Sequence, residues 1–164
     1  MQSHNKKILS DERQTEDLDE TCNCQKKQSC PTPGKCRSQK VVYQATVKHN
    51  NKEATYIGNT ATEFKRRYRN HTKSFRLEQY KTETCLSQYV WENELSPNPN
   101  IEWKFVRKCK TYTPGSKCCD LCLSEKFEII KNLRKPNTIN KRTDIGNRCP
   151  HQTMCALQTT GGIT

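Results

Sequence analysis

Residues 41–58 read VVYQATVKHNNKEATYIG. Val41–Lys48 is rich in β-branched and aromatic residues, and so is Glu53–Gly58, so both read as strands. His49-Asn50-Asn51-Lys52 between them is a turn, which makes the pair a hairpin. Downstream, Thr60–Phe75 opens with Thr60-x-x-Glu63 at the spacing of a capping box. Phe64, Tyr68, His71 and Phe75 follow along one stripe of an amphipathic helix. Thr84–Glu94 is a shorter helix, ended by Leu95-Ser96-Pro97-Asn98-Pro99. Ile101–Cys109 alternates apolar and polar residues and is a third strand. After the turn at Pro114-Gly115, Cys118–Arg134 is a helix expected to bury Leu123, Phe127, Ile130 and Leu133, stopped by Pro136. The order β–β–α–α–β–α implies an α+β fold: a small three-stranded antiparallel sheet flanked by helices.

Outward from this centre the chain divides into a flexible arm over residues 1–21, a cysteine-rich loop over 22–40, the folded domain over 41–142 and a tail over 143–164. The loop holds Cys22, Cys24, Cys30 and Cys36, with Pro31, Pro33 and Gly34 among them.

The 164 residues carry 29 Lys and Arg against 17 Asp and Glu, a net charge of +12. Leu, Ile, Val and Phe make up only 26 of the 164 residues, too few for a large core. The 11 cysteines therefore suggest stapling by metal. No apolar run is long enough for a transmembrane helix, and Met1–Glu20 lacks the apolar region of a signal peptide. The expectation is an intracellular, nuclear protein without membrane contact, in a compartment where clustered cysteines favour metal over disulfides. The excess of positive charge points to a polyanion as partner, DNA or RNA before an anionic membrane.

Several polar residues sit oddly for a purely structural domain. Arg67 and His71 are four residues apart on the long helix and share a face. Glu125 flanks an apolar stripe, between Leu121 and Ile129, where a carboxylate is costly to desolvate unless paired or bound to a cation. Tyr43 and Tyr56 lie in the facing strands of the hairpin. Singly, each has an ordinary explanation in packing, snorkelling or solvation. Together they offer a phosphate clamp, a proton acceptor and a ligand for a hard cation.

In this order the motifs resemble the GIY-YIG endonuclease family: Val42-Tyr43, then Thr55-Tyr56-Ile57-Gly58, then Phe64-x-x-Arg67-x-x-x-His71, then Glu125 and Asn140. The likeness spans about Val41–Lys141. The YIG triplet is intact, whereas Val41-Val42-Tyr43 stands where the family has Gly-Ile-Tyr. Cys22-x-Cys24-x5-Cys30-Pro31, Leu86-Ser87-Gln88-Tyr89-Val90-Trp91, Cys119-x-x-Cys122-Leu123-x-Glu125-Lys126 and Ile139-Asn140-Lys141-Arg142 are similar to the endonuclease end of Penelope-like retroelement polyproteins.

The resemblance implies a metal-dependent DNA endonuclease. In that reading Tyr43 is the general base or relay for the attacking water, with a depressed phenol pKa, and Tyr56 shares its site. Arg67 clamps the scissile phosphate, and His71 takes a proton or orients Tyr43. Glu125 binds Mg²⁺ or Mn²⁺, and Asn140, with Asn137 as the alternative, positions Glu125 or a backbone phosphate. Gly58 permits a tight approach beside the site. Lys65, Arg66 and Arg69 track the DNA backbone.

Cys22, Cys24, Cys30 and Cys36 suffice for a tetrahedral structural zinc. Cys119 and Cys122 also have ligand spacing, completed by Cys109 and Cys118 or by Cys149 and His151, or they pack as small apolar residues. The competing readings are a zinc-stabilised nucleic-acid-binding module without catalysis and an inactive nuclease relic.

Overall fold

The computed structural model describes residues 22–149. The arm expected over residues 1–21, and the part of the expected tail from Pro150 onward with His151, lie outside the described residues. The fold is α+β, with the element order expected from the sequence. It comprises β1 (Val41–His49), β2 (Lys52–Thr60), α1 (Phe64–Arg76), α2 (Cys85–Glu92), β3 (Ile101–Lys108) and α3 (Asp120–Leu133), with 3₁₀ turns at Lys27–Ser29, Glu78–Tyr80 and Arg142–Gly146.

The sheet is antiparallel in the order β2-β1-β3. Asn50 and Asn51 form the hairpin loop, both at positive φ, as a two-residue turn that follows the twist of its strands requires. The pairs Tyr43↔Gly58 and Ala45↔Tyr56 put both phenols on one face, and Gln44↔Ile57 and Val42↔Asn59 lie on the other. The β1–β3 register shifts between Val42 and Tyr43, so a bulge falls beside Tyr43.

Each face of the sheet has its own core. Val41, Tyr43, Ala45, Val47, Tyr56 and Trp103 meet Phe64 and Phe75 of α1 and Leu86 and Val90 of α2. On the opposite face Val42 and Ile57 meet Leu121 and Ile129 of α3, together with Cys109, Cys119 and Cys149. Residues 137–139 run along the outer edge of β2: Thr55 donates its N–H to the Asn137 carbonyl (2.9 Å), and Ile139 donates to the Thr55 carbonyl (2.8 Å). No strand among the described residues covers the outer edge of β3, where Glu102, Lys104 and Arg107 are exposed.

Three local expectations are corrected. Thr60 does not cap α1; it stays in β2, paired with Val41, and the helix begins after Glu63 without a side-chain cap. Its first amides are satisfied from the cysteine loop: Phe64 N–H donates to the Ser38 carbonyl (2.9 Å) and Lys65 N–H to the Cys36 carbonyl (2.7 Å). A capping box does form, at α2, between Thr84 and Ser87.

Second, α3 does not bury the stripe chosen from periodicity. Leu123, Phe127 and Ile130 are 49%, 59% and 44% exposed, Leu133 is half-buried, and Leu121, Ser124, Ile129 and Asn132 face inward. The helix has two stripes at helical spacing, and the buried one contains two polar residues, so the more apolar one reads as the core.

Third, order continues past residue 142. Asp144 bonds to Asn140 and Lys141, and Cys149 is buried. The cysteine loop is likewise joined to the domain through the α1 amides and through a 2.7 Å bond from Lys65 Nζ to Asn23 Oδ1.

Candidate functional site

The α1 face of the sheet carries a hydrogen-bonded chain. Arg67 Nε–H donates to Tyr43 Oη (3.2 Å), and Tyr43 Oη lies 2.7 Å from His71 Nε2. A guanidinium only donates, so the phenol accepts from Arg67 and its own proton is directed to His71. His71 is buried, and burial together with the Arg67 charge depresses its pKa to about 3, so the ring is neutral and able to accept. Its ring meets those of Tyr43, Tyr56 and Trp103 at centroid distances of 5.8, 6.0 and 5.4 Å. Tyr56 interacts with the guanidinium as well, so both phenols position Arg67.

Gly58 explains how Tyr43 fits. A Cβ at this position would lie 2.6 Å from Tyr43 Oη and 2.7 Å from its Cζ, inside any allowed contact. Only a residue without a side chain allows the phenol to cross the β2 backbone here.

Arg67 alone does not depress the Tyr43 phenol. Tyr43 is fully buried, and burial pushes its pKa up to about 12 in spite of the Arg67 charge. Burial raises Tyr56 as well.

Glu125 approaches from α3, on the other side of the sheet, and accepts a 2.5 Å hydrogen bond from the Asn59 amide. Burial is the main reason its carboxyl is pushed up to about 7; the Asn59 bond, Arg67 and Lys126 pull it down, and Asp144 pushes it up. Its charge is felt at Tyr43 and Tyr56. Arg67 and Glu125 influence each other but form no ion pair. A half-buried carboxylate held by a single amide retains lone pairs of the hard-oxygen kind that Mg²⁺ or Mn²⁺ takes.

Asn140 bonds to β2 and Asp144 and not to Glu125. It is buried and clamps β2: its Oδ1 accepts from Ile57 N–H (2.7 Å), and its Nδ2 donates to the Ile57 carbonyl (3.0 Å) and to Asp144 (3.2 Å). Asn137 is exposed and holds the β2 edge through its carbonyl. The side chain on Glu125 is Asn59, which sequence reasoning passed over. Its signal was available: Asn59 follows Gly58, one step out of phase with the tyrosines. Trp103, which touches Tyr43, Phe64, Tyr68 and His71, is the other omission.

Lys65, Arg66 and Arg69 line a groove of about 510 Å³ with Asn23, Gln39, Ala61, Thr62 and Glu63. Arg66 and Arg69 are exposed, and this groove runs along the helix that carries Arg67.

The four N-terminal cysteines can bind a metal such as zinc. Their sulfurs gather within 4.8 Å, with Cys22–Cys30 at 3.5 Å, Cys22–Cys36 at 3.4 Å and Cys24–Cys36 at 3.7 Å. Zn–S bonds of about 2.3 Å place tetrahedral sulfurs roughly 3.8 Å apart, so the loop is spaced for the ion. The Cys24 amide and neighbouring thiols lower Cys22 to about 6, whereas burial raises Cys30 and carries Cys36 to about 12. One thiolate is thus available at neutral pH, and the others ionise as a cation arrives. The other cysteines divide plainly. Cys119, Cys122 and Cys149 form a second group, Cys118 is exposed, and Cys109 is buried outside that group.

No family model, no curated protein and no solved structure matches this chain. Among the described residues, no helix is long and apolar enough to cross a membrane.

Proposed function

We propose that this protein is a divalent-metal-dependent DNA endonuclease of the GIY-YIG type, of Penelope-like retroelement origin, acting in the nucleus. The observation that carries the reading is the chain Arg67–Tyr43–His71, with Tyr56 beside it, Gly58 beneath it and the half-buried Glu125 within electrostatic reach.

Arg67 has its Nε committed to Tyr43, which leaves its terminal amino groups to grip the scissile phosphate and its developing charge. Tyr43 relays the proton of the attacking water: the phenol passes its own proton to neutral His71 Nε2 and takes one from water. Water oxygen bonds to phosphorus, the bond to the 3′ oxygen breaks, and that oxygen is protonated by solvent. The Glu125 carboxylate would hold a divalent cation, which would supply Lewis-acid stabilisation of the departing oxygen. Asn59 orients that carboxylate, and the groove of Lys65, Arg66 and Arg69 follows the DNA backbone. Zinc at the N-terminal cysteines holds the loop that caps α1.

One observation favours a second reading. Tyr43 and His71 are almost completely buried. In a nucleic-acid-binding module without catalysis, or an inactive nuclease relic, they serve packing alone. Nicking of supercoiled plasmid with Mg²⁺ separates the readings. Wild-type cutting that is lost in both Arg67→Ala and Glu125→Ala supports the enzyme. Equal DNA retention by all three with no cutting supports the binding module or relic.

A further inference from the structure

Cys119, Cys122 and Cys149 converge from two parts of the chain. Cys119 is the residue before the first turn of α3, and Cys122 lies in that turn three residues on, so both side chains serve one side of the helix start. Cys149 arrives from beyond the Arg142–Gly146 turn and is 3% exposed. The three sulfurs all lie within 4.8 Å of one another, close to the separation of sulfurs sharing one tetrahedral ion.

Cys119 and Cys149 lie in the second core beside Val42, Ile57, Leu121 and Ile129, and Cys122 packs against it.

We propose that Cys119, Cys122 and Cys149 form a second metal site, for a thiophilic divalent ion of the zinc type, that fastens the segment after Arg142–Gly146 to the first turn of α3. Among the described residues the group has three donors, which leaves the fourth position of a tetrahedral ion to an exogenous ligand such as water. Binding exchanges thiol protons for metal–sulfur bonds, with no change of oxidation state. The site also bears on Glu125, which stands three residues after Cys122 on the same helix. This inference is independent of the nuclease reading, since its test reads metal and not cutting.

The experiment uses the full chain under reducing conditions. The first measurement is zinc content after dialysis for wild type, Cys149→Ser, Cys122→Ser, the exposed Cys118→Ser control, and a Cys22→Ser/Cys24→Ser variant. Wild type and Cys118→Ser should hold one more equivalent per chain than Cys122→Ser or Cys149→Ser, and the N-terminal double variant should keep that equivalent. Equal content in wild type, Cys122→Ser and Cys149→Ser overturns the site. The second measurement needs no variant: alkylation of wild type mapped by mass spectrometry, with and without zinc. Zinc should slow labelling of Cys122 at least tenfold and leave Cys118 unchanged. The same Cys122 rate in both conditions overturns the proposal.

Discussion

Gly58 and Tyr43 share a space that admits only one side chain. Gly58→Ala must displace the phenol or the strand, at a cost of about 1–3 kcal/mol, the usual range for overpacking. It should lower the thermal midpoint and abolish nicking together, whereas Gln44→Ala, on the other face, should do neither. Two titratable residues give opposite pH signatures. His71 resists protonation down to about pH 3 in the fold, but protonates near 6.5 when unfolded. The stability it contributes is therefore full above pH 6.5 and falls as the pH drops to 3, by up to about 5 kcal/mol. His71→Gln should flatten that decline in denaturant midpoints. Glu125 has the reverse sign: its carboxyl is raised to about 7, so its contribution is full below 4.5 and is lost as the pH climbs through 7. Glu125→Gln should melt higher than wild type at pH 8, with the gap closing below pH 5. A site that stabilises the protein when neutralised is a familiar cost of function.

At the scale of elements, the start of α1 depends on carbonyls of Cys36 and Ser38 rather than on its own cap. Removing zinc from the N-terminal loop should therefore speed hydrogen exchange at the Phe64 and Lys65 amides and leave the Thr84-capped α2 unchanged. Asn140→Ala should cost about 2–4 kcal/mol by stripping two bonds from the buried Ile57 peptide. The elements themselves were legible, because period-2 and period-3.6 patterns were strong in β1, β2, β3 and α1. The face of α3 was not, because Ser124 and Asn132 point inward while Leu123, Phe127 and Ile130 point out. A burial that uses polar residues leaves no trace in an apolar pattern. The cap of α1 was misread for a related reason: its partners lie over 20 residues upstream, beyond the reach of a local motif.

Across the whole molecule, +12 of net charge governs encounter with a polyanion. If DNA is held through the groove of Lys65, Arg66 and Arg69, each alanine substitution there should reduce the log–log salt slope of affinity by about 1, and Glu125→Ala should leave it unchanged. Titrating the complex with salt measures this directly. The set Tyr43, Tyr56, Arg67 and His71 was recoverable from order and spacing because four residues on two strands and one helix have few ways to meet. The Asn59–Glu125 bond was not, since it joins a strand to a helix 66 residues further on and needs the register to be known.

Among the described residues no strand pairs with the outer side of β3, so its backbone donors and acceptors can recruit an additional chain. Glu102, Lys104 and Arg107 stand along it as gatekeepers, disfavouring aggregation through strand addition. Replacing all three with threonine should leave the monomer folded yet make it self-associate with rising concentration, visible as a shift to larger species on size-exclusion chromatography.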